Sequence, residues 1–286
     1  GNDLFRADMI YNPTTLRPGR QITRTSRVFA GAKESGVLDL YQDQGISQFG
    51  LAIDWGWFRW FEKPILWLLR QIFSVVGNFG VAIILLTCIV RGLMFPIAQK
   101  GFASMASMKA IQPEMKKLQE KHKDDKVTQQ QEMQKLFKER GVNPVAGCLP
   151  MLLQIPVFFA LYKVLILAIE MRHRDFLWVK DLSAPDPANL ANALSYVGID
   201  VPQFLMIVFG IGVLAVMLGF TMWLTFKLNP SQMDPMQQQI FNIMPWILMF
   251  VMAPFAAGLL LYWVTSNILT VAQQKYLYSK HPQLRA

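Results

Sequence analysis

Ile72-Phe-Ser-Val-Val-Gly-Asn-Phe-Gly-Val-Ala-Ile-Ile-Leu-Leu-Thr-Cys-Ile-Val90 carries no charge, and the apolar character resumes after Arg91 as far as Ile97. At about 1.5 Å per residue, a helix over this stretch crosses a hydrocarbon core of about 30 Å. The whole chain of 286 residues is 53% hydrophobic and only 16% charged, where a soluble domain carries about 25% charged residues. The charges also collect in a few stretches and leave long runs without any. That clustering separates a membrane protein from an unusually apolar soluble one.

Working upstream, Asp54-Trp-Gly-Trp-Phe-Arg-Trp-Phe-Glu-Lys-Pro-Ile-Leu-Trp-Leu-Leu-Arg70 mixes tryptophans and phenylalanines with Arg59, Glu62, Lys63 and Arg70. Indole rings favour the headgroup boundary, so residues 54–71 read as an amphipathic helix lying in that layer; the alternative is a soluble core helix. Residues 1–53 are polar, with β character over 21–30, and read as the last piece of a soluble, sheet-containing domain.

Downstream, residues 99–143 alternate apolar and basic positions at spacings of three and four. Met105, Met108, Ile111, Met115 and Leu118 form one stripe, and Met133, Leu136 and Phe137 restart it after Asp124-Asp125. This predicts a helical hairpin outside the membrane. Further spans are predicted over 144–169, 203–226, 239–253 and 259–276. Between them lie a loop at 170–202, a loop at 227–238 and a short turn at 254–258, with a tail at 277–286. The uncharged run from Ile240 to Ala272 is too long for one crossing, and Pro254-Phe-Ala-Ala-Gly258 divides it. Asp234-Pro235 supplies a cap and first position for the fourth span.

The Lys/Arg surplus behind the formal charge of +9 sits in the hairpin, which holds ten Lys/Arg against six Asp/Glu between Lys100 and Arg140, and in the tail with Lys275, Lys280 and Arg285. The 170–202 loop is net acidic. The positive-inside rule then places hairpin, 227–238 loop and C-terminus in the cytosol, with the N-terminal stretch and the acidic loop outside.

Arg91 is the charge that needs a reason, since an arginine at a helix centre costs about 2.5–3.5 kcal/mol on insertion scales. It either snorkels to the inner headgroups or faces a wet cavity inside the bundle. Thr87 lies one turn earlier on the same face. Lys163, nearer the outer end of the second span, reads as snorkelling. Cys88 and Cys148 read as small buried hydrophobes. His122, His173 and His281 have no ligand spacing, no nucleophile sits beside a base, and there is no phosphate loop. The residues therefore predict no enzyme active site, metal or cofactor. The hairpin lacks aromatics at stacking intervals, so sequence-specific nucleic-acid recognition is not expected, whereas contact with anionic lipid or ribosomal RNA is. A small-solute transporter or channel is the rival reading. It calls for further intramembrane charges or paired broken helices, and neither is found.

Several strings in order resemble the YidC family of membrane-protein insertases: Val76 to Pro96 with Arg91 inside it; Gly141-Val-Asn-Pro-Val-Ala-Gly-Cys-Leu-Pro-Met-Leu-Leu-Gln-Ile-Pro156; Asp234-Pro-Met-Gln-Gln238 with Met244-Pro245; and Gly258-Leu-Leu-Leu-Tyr-Trp-Val-Thr-Ser-Asn267. The resemblance covers about residues 54–278. It implies an all-α membrane protein in the bacterial inner membrane: a five-transmembrane-helix insertase core with a cytosolic helical hairpin and a periplasmic amphipathic helix. Residues 1–53 then look like the remnant of a β-rich periplasmic domain, without that domain's larger part or the N-terminal anchor helix. A hydrophilic groove open to cytosol and lipid is implied, with Arg91 as its charge and Thr87, Gln154, Tyr262 and Trp263 beside it. The implied partners are nascent membrane proteins, the Sec translocon and the ribosome, with anionic lipids around them.

Overall fold

A computed structural model describes residue 8 and residues 10–56, 59–122, 125–142, 144–199, 201–228 and 235–280, with some helical side chains, notably those of 144–153, not described. Asp234, the Cys148 side chain, and His281 and Arg285 of the tail lie outside these residues. The chain divides into two compact units, Gly1–Ala32 and Lys33–Ala286.

In the first unit the described residues are extended but form no strand. A turn closes from the Arg20 N–H to the Arg17 carbonyl at 3.1 Å. Its arms meet through side chains: Tyr11 and Ser26 share a hydroxyl hydrogen bond of 2.7 Å, and Arg24 stands over the Tyr11 ring at 4.6 Å. The β character expected over 21–30 thus gives extended chain without a ladder, because a two-stranded ribbon without a sheet behind it is marginal.

The second unit is helical among the described residues. Its helices are α1 (Ser35–Asp43), α2 (Arg59–Val76), α3 (Phe79–Ala110), α4 (Gln112–Lys121), α5 (Lys126–Glu139), α6 (Pro144–Leu167), α7 (Leu190–Tyr196), α8 (Met206–Phe209), α9 (Val213–Leu228), α10 (Pro235–Met252) and α11 (Ala257–Lys280). Several boundaries differ from those expected. The uncharged run from Ile72 is divided between α2 and α3 at Gly77-Asn78. Gly77, at φ +68°, ends α2 by donating to the Phe73 carbonyl, and the Asn78 side chain accepts the Val81 N–H at 3.1 Å. A left-handed glycine followed by an asparagine cap stops one helix and starts the next, whatever the hydropathy around them. At its far end α3 continues past Gln99 to Ala110, so the hairpin proper is α4 and α5. Asp125 caps α5, and Arg140 pairs with Glu114 across the hairpin.

The packed helix pairs run in an arc: α10 against α9, α9 against α11, α11 against α3, and α3 against α6, with α2 on α3 and α6. Helices α6 and α10 stand at the two ends, and among the described residues the two are not a packed pair with each other. The core between them is aliphatic, built from Ile83, Leu86, Leu161, Leu214, Leu218 and Leu260. Outward, Leu85, Ile89, Phe159, Phe220, Ile247 and Phe250 are exposed. Cys88 shares that outer face and is exposed, not buried as expected. Among the described residues, Phe79–Gly101 alone is long and apolar enough to cross a membrane, and Gln154–Leu167, Val213–Leu228 and Gln239–Met252 are shorter apolar stretches.

The third span, expected from Phe204, begins as α9 only at Val213. The cause is a latch built from the preceding loop. Asp186, almost fully buried, accepts the Leu214 N–H with one carboxylate oxygen (2.8 Å), and the Trp178 indole N–H (3.0 Å) and Ala188 N–H (2.9 Å) with the other. The carboxylate therefore caps α9 at its positive end. A Cβ on Gly212 would come within 2.5 Å of the Asp186 Cβ, so only glycine allows this approach. The same loop accepts the Ala257 and Gly258 N–H groups at the start of α11 through the Ala184 and Leu182 carbonyls, both at 2.8 Å. One loop thus satisfies the first turns of two bundle helices.

On α2, Glu62 is buried, and its Oε2 has no hydrogen-bond partner among the described residues. Burial raises its pKa above 4.5, with Lys163 opposing and Asp54 assisting.

Two outcomes follow from these contacts. Asp186→Ala should cost about 2–4 kcal/mol, from buried hydrogen bonds to a charge, and lower the thermal melting point in detergent; an unchanged melt contradicts the capping role. Glu62 binds protons more tightly folded than unfolded, so stability should fall as pH rises from near 4.5 through its raised value. Glu62→Gln should flatten that slope and melt higher at neutral pH, and a lower melt refutes this reading.

Candidate functional site

Helix α3 sets the direction of Arg91. Thr87 and Ile83, one and two turns earlier, are buried, while Leu85, Ile89 and Leu93 on the opposite side are exposed. Residues four apart share a helix face, so Arg91 lies on the buried side. Its guanidinium, half-buried, reaches α11: Nε and Nη2 both donate to the Ser266 hydroxyl oxygen, at 3.0 and 2.6 Å. Nearby, Gln273 donates from Nε2 to the Arg91 carbonyl at 3.4 Å.

Helix α11 presents a polar column at four-residue steps: Tyr262, Ser266, Thr270 and Gln274. Gln154 on α6 donates from Nε2 to the Tyr262 hydroxyl at 2.8 Å. Asn267 donates to the Thr221 hydroxyl of α9 at 3.2 Å. The polar seam therefore stitches α11 to α3, α6 and α9 through a bundle that is otherwise aliphatic. Two acceptors in it are buried without a hydrogen-bond partner among the described residues, Gln154 Oε1 and Gln274 Oε1. Buried polar atoms are ordinarily satisfied, so these mark places where water or a ligand completes the network. Among the described residues no carboxylate pairs with Arg91. A half-buried cation with only neutral partners keeps much of its appetite for an anion.

Three of the five residues expected at the site, Arg91, Gln154 and Tyr262, come together in this seam. Thr87 is buried and donates its hydroxyl to the Ile83 carbonyl at 2.6 Å, as a helical threonine commonly does. Trp263 turns away from the seam and packs on Phe158, ring centroids 4.7 Å apart. Ser266, Gln273 and Gln274 were not singled out from the sequence, although the four-residue polar column was a readable signal. Lys163 on α6 lies 3.7 Å from Asp54, an exposed carboxylate outside the bundle core.

Ser266→Ala removes the fixed acceptor of a buried guanidinium, a loss of about 1.5–3 kcal/mol for a hydrogen bond to a charged group. It should lower the melting point clearly, whereas Ser266→Thr should restore most of it. Equal melts for the alanine variant and the parent chain contradict the pairing.

With this geometry in view, the comparisons with known proteins take on structural meaning. A family model described as 60Kd inner membrane protein matches residues 71–284, and one described as YidC periplasmic domain matches residues 1–68. The membrane protein insertase YidC of Agrobacterium fabrum is 48% identical over 279 residues, covering 97% of this chain and 46% of that protein. That of Zymomonas mobilis is 46% identical over 282 residues, covering 98% and 48%. A crystal structure of an active YidC insertase with its first transmembrane domain resolved superposes with a TM-score of 0.55 at 26% identity, over 82% of this chain and 49% of that one. The chain thus spans about half the length of the curated relatives it matches. Matched by the inner-membrane model over most of its residues, and by relatives of this identity along nearly its full length, the chain belongs to the 60Kd inner membrane protein family, alongside the YidC insertases.

Proposed function

We propose that this chain is the working core of a membrane-protein insertase, which moves the polar flank of a nascent segment across the inner membrane while its apolar helix enters lipid. The observation that carries this is the Arg91 guanidinium, held by Ser266 and, among the described residues, paired with no carboxylate, inside a bundle whose end helices, α6 and α10, are not a packed pair there. An opening between α6 and α10 gives an apolar segment a lateral path. The polar seam behind it receives the flank. Chemically, an immobile cation in partly desolvated surroundings attracts a carboxylate more strongly than one in bulk water.

In this reading five helices, α3, α6, α9, α10 and α11, cross the membrane, with α2 on the outer surface and the α4–α5 hairpin and C-terminus in the cytosol. The exposed belt of Leu85, Ile89, Phe159, Phe220, Ile247 and Phe250 supports the crossing, since exposed apolar surface on that scale faces lipid or a partner. Helices α9 and α10 have 16 and 18 residues, about 24 and 27 Å of helix. Both fall short of a core of about 30 Å, which favours local thinning of the bilayer and lowers the barrier to a polar tail. Burial of the substrate's own helix, at about 25 cal/mol per Å² of apolar surface, drives its release into lipid. Nascent membrane proteins are the substrates; the ribosome, the Sec translocon and anionic lipids are partners, with the basic hairpin as the receiving surface.

Insertion assays in proteoliposomes test the reading. Arg91→Ala should reduce insertion of substrates with acidic tails about tenfold and leave neutral-tailed substrates nearly unchanged. Equal insertion of both classes by the variant removes Arg91 from the mechanism.

A further inference from the structure

A cavity of about 410 Å³ opens at the outer end of α6, away from the polar seam. Its apolar wall is Ile53 with Ile166, Leu167, Ala168 and Ile169, and its polar groups are Lys33, Asp54, Arg172 and Ser183. That volume lies in the range of about 300–1,000 Å³ typical of small-molecule sites. Among the described residues neither Lys33 nor Arg172 has an ion pair, and three nearby acids meet other groups. Glu170 pairs with Arg70, Asp181 with His173, and Asp54 with Lys163. Two exposed cations thus share the rim of a cavity with an apolar wall.

From this juxtaposition, we propose that the cavity binds the phosphate headgroup of an anionic phospholipid, with Lys33 and Arg172 contacting the phosphodiester and an acyl chain descending along Ile166. Ile166 is exposed on α6 and so continues the apolar wall toward the lipid side. The depth also fits. Beside the cavity, α2 exposes Trp60 and Trp67, side chains that settle at the headgroup boundary, and Lys163 reaches the same level from inside the bundle. The guanidinium of Arg172 suits a phosphate oxygen pair, and Lys33 adds a second, mobile point charge. A bound lipid here would brace the end of α6, one edge of the lateral opening.

The site presupposes that α2 and the end of α6 lie at the outer surface, as in the function proposed above. Native mass spectrometry of the detergent-solubilised chain, titrated with phosphatidylglycerol, phosphatidylcholine and inorganic phosphate, tests it. Phosphatidylglycerol should bind at least tenfold more tightly than phosphatidylcholine, and the double variant Lys33→Gln/Arg172→Gln should lose that preference. Arg172→Lys should retain part of it. Both changed side chains are exposed, so an unaltered melt without lipid certifies the fold. No preference between the two lipids, a preference that survives the double variant, or full competition by inorganic phosphate overturns the proposal. A micelle has no sides, so failure here counts against the cavity and not against the topology, which the Arg91→Ala insertion assay reads separately.

Discussion

A guanidinium on one helix held by a single hydroxyl on another organises this protein. Arg91 and Ser266 are separated by 175 residues in the chain, yet two N–H groups of the first converge on one oxygen of the second. Holding a half-buried cation in an otherwise aliphatic bundle is unfavourable unless polar groups surround it. The α11 column and Gln154 provide them. Neutral partners meet the geometric need without cancelling the charge, which leaves Arg91 fixed in place and still able to attract an anion.

The end of the bundle beside the loop after α6 serves the same centre. Asp186 caps α9, and the Leu182 and Ala184 carbonyls cap α11, so the loop after α6 fastens the two helices that flank the seam. Glu62, Lys163 and Asp54 add a second layer of charge at that end, where α2 lies over α3 and α6. Closure is therefore concentrated on one side of the seam, and the edge between α6 and α10, not a packed pair among the described residues, is the one the proposed function uses as a lateral path.

Much of this was legible in the residues. A lone arginine in an apolar run announces itself, and so do tryptophans mixed with charges or a basic stripe at helical spacing. Helix limits were less so. Gly77-Asn78 breaks an uncharged stretch that hydropathy reads as continuous, because capping depends on backbone conformation and not on polarity. The third span was drawn too early for a related reason: Asp186 looked like an ordinary loop acid, and only the fold brings it onto Leu214. Ser266 was missed although Tyr262, Ser266, Thr270 and Gln274 recur every four residues, because that column names a polar helix face and not the partner it meets. Trp263, adjacent in sequence to Tyr262, is turned about 100° away on the helix and packs on Phe158. The extended stretch near the N-terminus has strand-forming side chains but no sheet among the described residues to join.

The central claim is that the seam holding Arg91 is wet and open to the cytosol. Thr270, one turn along α11 from Ser266, tests this with the arginine left intact, and Ile268, exposed on the same helix, is its lipid-facing control. Each is replaced by cysteine after Cys88 and Cys148 are changed to serine, and inverted membrane vesicles are treated with a membrane-impermeant maleimide. The account predicts fast labelling at 270 and little at 268. Position 270 labelling no faster than 268 would contradict it, because Arg91 would then sit in a dry bundle.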